Sequence, residues 1–508
     1  MSESSQSVIQ EHGFNKFQQF FWPVHKSELK KFLPMSFLMF CILFVYTMIR
    51  DLKDVFIQTY AAAGGPEVLS CIKLFFVLPF AFLVVMFYTF LVNKFGFNKA
   101  FYVIISIYIC FFAIFTYILF PNYTHIHPGI DQVRAMQSSW PGFLYHIIPA
   151  ITNWSFTLFY MMAEIWGTMA ISSLFWRFAN EITMKNEVKR FFGMYALIAN
   201  IGTFASGSLL TSFSQVHGDR GAFNRNVMIL ISIGILLAIV TLIIFRYLTT
   251  TVMNDPKMYN PEDRPQKKKK QKVSALDGIK ILFSDRYLLL IAVLVVCYGL
   301  SDNLFEVVWK AGLLKVYPSS HDYSAAMGIH SQCVAVFTML STFIAAWVLR
   351  KFKWKTGAII TPLMILTISA LFFALVIYNG LVSTNVKILG VTTGALVAAI
   401  GIVGVAIFKA IKYTLFDPTK SMAYIPLDDD TKTKGQSAVE VIGGRAGKSG
   451  GAAVTYVLTN VVSAGSKVGS HIFTIIPIIL IALFAWNGSV LALGKKYEKK
   501  LAEEHEKE

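Results

Sequence analysis

The sequence predicts an all-α polytopic membrane protein of about twelve transmembrane helices in two six-helix bundles. Three observations carry that prediction. Of 508 residues, 55% are hydrophobic and only 15% charged, and the mean hydropathy is +0.57, a balance unlike that of a water-soluble globule. Apolar windows of bilayer-spanning length recur twelve times. One long polar stretch divides them six and six. Two helical bundles around a central cavity are the layout of major-facilitator-type transporters.

The elements follow in order. A polar N-terminal tail, 1–32, has no small-residue cleavage site and no transit-peptide character, so insertion into a bacterial inner membrane is expected. Apolar windows lie near 33–58, 67–92, 100–120, 148–176, 191–214 and 226–248, giving an N-terminal bundle over 33–248. The linker 249–286 carries Pro256, Pro261 and Pro265, then Lys267-Lys268-Lys269-Lys270-Gln271-Lys272. The second set lies near 287–312, 323–349, 356–378, 387–412, 436–462 and 470–493, a C-terminal bundle over 287–493 followed by a charged tail, 494–508.

Loop charges set the orientation. Lys26, Lys30 and Lys31, Lys94 and Lys99, Arg177, Lys185, Lys189 and Arg190, and Arg350, Lys351, Lys353 and Lys355 fall on one side. The alternate loops 121–142 and 463–470 carry few basic residues, so both termini are expected in the cytoplasm. The net charge of +17 then reads as basic cytoplasmic loops touching membrane lipids, with no nucleic-acid partner. Cys41, Cys71, Cys110, Cys297 and Cys333 lie in apolar runs without metal-ligand spacing, and no motif calls for a cofactor.

The informative residues are charges where a bilayer should be. Arg50-Asp51-Leu52-Lys53-Asp54 continues the first apolar run without a break. Each charge near mid-helix costs roughly 3 kcal/mol, about 12 kcal/mol for four before pairing. Such a cluster faces a water-filled cavity or a polar partner and marks a substrate path. Helix 4 adds Glu164 among apolar neighbours, and helix 5 adds Asn200, which an interhelical hydrogen bond would also explain. Helix 7 carries Asp302, Asn303, Glu306 and Lys310, with the three ionisable groups on one face at i,i+4 spacing. Lys310 also suits an interfacial position from which it snorkels. Lys409 and Lys412 read as a positive flank ending helix 10.

Helix 11 holds Gly443-Gly444-Arg445-Ala446-Gly447-Lys448-Ser449-Gly450-Gly451. The GxxxxGK[ST] phosphate loop requires one residue more between its glycines, and no strand precedes it, so an ATPase reading fails. Small residues instead allow close helix packing and leave room for Arg445 and Lys448 to reach the cavity. Arg50 and Lys53 from one bundle, with Arg445 and Lys448 from the other, could surround a polyanion, since guanidinium and ammonium groups both bind phosphate. Residue chemistry alone therefore reaches a carrier for an organic or inorganic phosphate rather than an enzyme.

The stretch Leu415-Phe416-Asp417-Pro418-Thr419-Lys420-Ser421-Met422-Ala423-Tyr424-Ile425-Pro426-Leu427-Asp428, running on to Gly447-Lys448-Ser449-Gly450-Gly451, resembles the ATP/ADP translocases of plastids and obligate intracellular bacteria such as chlamydiae and rickettsiae. Arg50 to Val55, Ala163 to Gly167, Leu174 to Thr183 and Asn303 to Lys310 look like the family's other signatures, and the resemblance spans about 35–490. It implies that Lys53, Glu164, Glu306 and Lys448 are functionally important. The chain reads Gly443-Gly444-Arg445-Ala446-Gly447-Lys448 where plastid members have Cys-Asn-Pro-Leu-Gly-Lys, which adds Arg445. The resemblance implies an antiporter exchanging ATP for ADP, with inorganic phosphate as a further candidate cargo; a monomer is expected. A proton-coupled nucleotide symporter is the alternative.

Overall fold

The structure, a computed structural model, describes residues 22–215, 219–256, 258–259, 284–381, 386–388, 390–428, 431, 435–436 and 438–505. The lysine run at 267–272, with Pro261 and Pro265, lies outside them. Eleven helices among the described residues are long and apolar enough to cross a membrane. They are α1 (Lys26–Tyr60), α2 (Pro66–Phe95), α3 (Phe97–Leu119), α4 (Trp154–Ile182), α5 (Asn186–Ser214), α6 (Arg220–Val252), α7 (Arg286–Val316), α8 (Ser320–Lys351), α9 (Trp354–Gly380), α10 (Thr393–Met422) and α12 (Val468–Glu503). Between the last two lies α11, a helical rod over 439–462 built from three consecutive segments. Its five glycines, with Glu440, Arg445 and Lys448, make it the least apolar of the twelve.

Two helices depart from their expected limits for local reasons. The fourth apolar window opens on a separate short helix, Ile147–Thr152. Asn153 ends it, its side chain bonding the backbone of Ala62 and the Pro149 carbonyl, and α4 starts afresh and runs on to Ile182. At α10, Lys387–Ile388 pairs antiparallel with Val391–Thr392 in place of helix, and the Thr392 hydroxyl caps α10 by accepting from Ala395 N. The helix then continues through Lys412 to Met422. Lys409 is therefore internal to α10, which corrects its assignment as a terminal flank.

Close backbone approach explains where the glycines fall. A Cβ on Gly447 would stand 2.9 Å from the Val296 carbonyl oxygen, and one on Gly451 would stand 2.7 Å from Asn303 Cβ, so α11 is pressed onto α7. At Gly444 and Gly450 a Cβ would meet nothing within 4 Å. We expect Gly447→Val to lower stability by about 2 kcal/mol, in the range of overpacked cores, and Gly450→Ala to leave it unchanged. Thermal unfolding in detergent measures both.

The first six helices meet the last six along two seams. In one, α5 crosses α8 where Gly207 and Gly328 face each other; a Cβ on either would stand 2.6–2.7 Å from the other's carbonyl oxygen. In the other, α2 meets α11 through Phe75 and Tyr456, ring centroids 4.9 Å apart. Hydrogen bonds reinforce the same end: His146 N to Asn460 Oδ1 at 3.0 Å, Val468 N to Glu67 Oε1 at 2.7 Å, and Tyr456 Oη to the Phe143 carbonyl at 2.9 Å. Toward the end carrying the start of α1 and the finish of α12, the first half has its own ion pairs, Lys31–Glu187 at 2.6 Å and Arg190–Glu28 at 2.6 Å. The halves are clasped at the end where α1 finishes and α12 starts.

Candidate functional site

The charges of α1 lie where the clasp begins. Arg50 is ten residues, about 15 Å, from the closed-end terminus of α1 at the helical rise. Its Nε stands 3.0 Å from Asp51 Oδ1, and a second nitrogen donates to Ser331 Oγ of α8 at 2.7 Å. The Ser331 hydroxyl in turn donates to the other oxygen of Asp51, so this triad bridges the halves. The Arg50 guanidinium also lies 5.6 Å from the Tyr46 ring centroid.

Next along the helix, Lys53 Nζ lies 3.2 Å from Asp54 and 3.3 Å from Glu164 of α4. It also sits 3.8 Å from the Tyr160 ring centroid, a cation–π contact strengthened by desolvation. Asp54 turns its other oxygen to Lys310 of α7 at 2.8 Å, and Lys310 reaches Glu306 one turn back at 2.9 Å. Lys73 of α2 and Lys409 of α10 approach Glu306 at 3.5 and 3.9 Å. One chain of alternating charge thus runs from Glu164 through Lys53, Asp54 and Lys310 to Glu306, joining both halves. Alternation makes it tolerable: each buried charge has an opposite charge within reach, without which desolvation would be prohibitive.

Three of the expected charges, Lys448, Asp302 and Arg445, stand outside these ion pairs. Lys448 is exposed and has no ion-pair partner among the described residues; the charges of Glu164 and Asp302 are within its electrostatic reach. Asp302, half-buried on α7, likewise has no ion pair among the described residues. Glu164 is also partly open, its side chain 30% exposed.

The residues expected from sequence divide accordingly. Arg50, Lys53, Glu164, Glu306 and Lys310 belong to the bonded network, and Asp302 and Lys448 stand at its edge. Lys310 does not snorkel to an interface: with a side chain 2% exposed it is among the most deeply buried charges, which corrects that reading. Arg445 lies with its guanidinium 4.7 Å from the Phe82 ring centroid on α2, at the seam between halves. Asn303 is buried against Gly451 in the α7–α11 contact. Asn200 donates to the Ala196 carbonyl of its own helix at 2.8 Å and stands apart from the network. Sequence reasoning missed Lys73, Ser331 and Tyr160. A solitary lysine in Cys71-Ile72-Lys73-Leu74-Phe75 was the available signal for the first. Lys73 also sits in a π-helical stretch, Ile72–Val77, a distortion that recurs at functional sites.

A buried two-sign network between two six-helix halves is the anatomy of a carrier, and comparison with known proteins agrees. The family described as TLC ATP/ADP transporter matches residues 7–497. The chain belongs to that family. The chain of this TLC-family transporter is 38% identical to the ADP,ATP carrier protein 1 of Chlamydia muridarum (strain MoPn / Nigg), over 96% of this chain and 92% of that protein. It is 36% identical to the ADP,ATP carrier protein 1 of Rickettsia bellii (strain RML369-C), over 95% and 96%. Solved structures share the fold at low identity. A bacterial homologue of the iron transporter ferroportin in an inward-facing state superposes with a TM-score of 0.59 at 10% identity, covering 93% of this chain and all of that one. The D-xylose-proton symporter gives 0.52 at 13% identity, covering 92% and 97%. The TLC-family chain is thus a multi-pass membrane transporter with a major-facilitator-like fold.

Proposed function

We propose that this protein exchanges external ATP for internal ADP by alternating access across a bacterial inner membrane, acting as a monomer with both termini in the cytoplasm. The observation that carries this is Lys448, an unpaired cation on α11 facing the edge of the network that holds Lys53. Nucleotide phosphates seat between Lys448 and Lys53, with Arg50 and Arg445 flanking, and draw the two halves together. Glu164 and Glu306 hold the lysines while the site is empty. Both carboxylates are engaged in ion pairs, which favours exchange over a symport in which one of them carries a proton. The ADP,ATP carrier names of the relatives support the choice of nucleotides.

ATP entering against ADP alone moves one extra negative charge inward, so membrane potential biases exchange by about 2.3 kcal/mol per 100 mV. Co-export of inorganic phosphate cancels that bias. The test is Lys448→Gln in the reconstituted protein. We expect nucleotide uptake to fall to background while the variant purifies and unfolds as wild type does; retained exchange contradicts the assignment.

A further inference from the structure

Three lysines from three helices converge on one carboxylate, and they do not bind it alike. Lys310 lies 2.9 Å from Glu306 Oε1 and 2.8 Å from Asp54, held between two anions and closed off from solvent. Lys73 stands 3.5 Å from Glu306 Oε2 with its side chain 14% exposed. Lys409 stands 3.9 Å from Oε1, the oxygen that Lys310 already occupies at shorter range, with its side chain 16% exposed. Neither Lys73 nor Lys409 has a second carboxylate within 4 Å among the described residues. An ammonium group carries three donors, so each keeps most of its hydrogen-bonding capacity for another acceptor.

Position adds to the distinction. Lys73 belongs to α2 of the first half and Lys409 to α10 of the second. Asp302 lies within electrostatic reach of Lys73, Lys409 and Lys448. Lys53, by contrast, is enclosed by two carboxylates and an aromatic ring. The cations loosest in their present contacts are therefore Lys448, Lys409 and Lys73.

We propose that Lys73 and Lys409 are phosphate ligands of the transported nucleotide, resting on Glu306 while the site is empty, and that Lys310 is a strut holding Asp54 and Glu306 throughout. This assignment rests on the nucleotide-exchange reading above. Phosphate oxygens take the ammonium donors that Glu306 engages weakly, and a mobile point charge on a flexible stem suits that transfer. An anion held by Lys73 and Lys409 together is bonded to both halves and pulls α2 and α10 toward each other.

The test uses full-length protein in liposomes loaded with ADP. Initial rates of labelled ATP uptake are measured against ATP concentration, with tripolyphosphate, the phosphate chain without ribose or base, as competitor. Loss of a charge-assisted contact is expected to change affinity about tenfold or more. Lys73→Gln and Lys409→Gln should each raise both the KM for ATP and the Ki of tripolyphosphate by that factor. Lys409→Arg should restore most of the affinity. Lys310→Gln should instead lower the thermal midpoint. Lys→Met replaces Lys→Gln at either position if the glutamine variant does not purify. Stabilisation of the detergent-purified protein by tripolyphosphate, present in wild type and lost in the Lys409 variant, reads the same contact without transport. KM and Ki within twofold of wild type in both variants overturn the assignment of Lys73 and Lys409. Absence of ATP uptake by wild type would count against the exchange reading itself.

Discussion

Lys310→Met destabilises the folded protein by about 3–5 kcal/mol, the usual effect of removing one partner from a buried ion pair. Lys310 holds Asp54 at 2.8 Å and Glu306 at 2.9 Å. Removing it leaves Asp54 with Lys53 alone at 3.2 Å and Glu306 with the longer contacts to Lys73 and Lys409 at 3.5 and 3.9 Å, so two buried carboxylates lose their shortest ion pairs. Thermal unfolding in detergent, read beside the fraction that elutes as a single species, measures the loss. The double variant Lys310→Met with Asp54→Asn should recover part of it, because one of the two under-compensated carboxylate charges is gone. Equal stability of the single variant and wild type would show that Lys310 is not the strut between α1 and α7.

Cross-linking the clasped end should abolish transport. Asn460 on α11 brings its amide nitrogen 3.9 Å from Cys71 Sγ on α2, and these helices come from opposite halves. Asn460→Cys therefore places a second thiol beside a native one, and a disulfide forms if the two α-carbons come within about 7 Å. Oxidation of this variant should cut nucleotide uptake at least tenfold, and a reductant should restore it, since alternating access requires this seam to open. Mass spectrometry of the linked peptides verifies the bond. Full transport with the bond formed would mean that the α2–α11 seam does not open during the cycle.

The sequence made the central charges legible because apolar surroundings make a charge conspicuous. Arg50 to Asp54 and Glu306 each interrupt an otherwise apolar helix, and all lie in the network. The charged stretches of α1 and α7 meet through Asp54 and Lys310 at 2.8 Å. Lys73 was hidden because one lysine near the start of an apolar window resembles a residue that reaches back to the interface. Lys409 was hidden by the boundary of α10. Lys412 and Asp417 resemble the polar end of a span, yet they pair at 2.8 Å and the helix continues beyond them.

Other partners were beyond reach of the sequence for a different reason. Ser331 and Tyr160 are unremarkable in composition, and they matter only because the fold sets them against Asp51 and Lys53. The same holds for Asn303. Its polar side chain in a membrane helix suggested a ligand contact, while the glycines of α11 bring Gly451 against its Cβ. Asn200 shows the same ambiguity settled by a local bond to Ala196. For polar uncharged residues the penalty of burial is small enough for packing or a single backbone bond to absorb it, so their presence in an apolar helix says little.

The most direct test of the central claim is counter-exchange in liposomes containing the purified protein. Labelled ATP is supplied outside, and the interior holds ADP, buffer alone, or buffer with an imposed pH gradient. Nucleotide exchange predicts uptake that requires internal ADP and stays at background in the other two preparations. Equal uptake into ADP-free liposomes driven by the pH gradient would contradict it and establish symport.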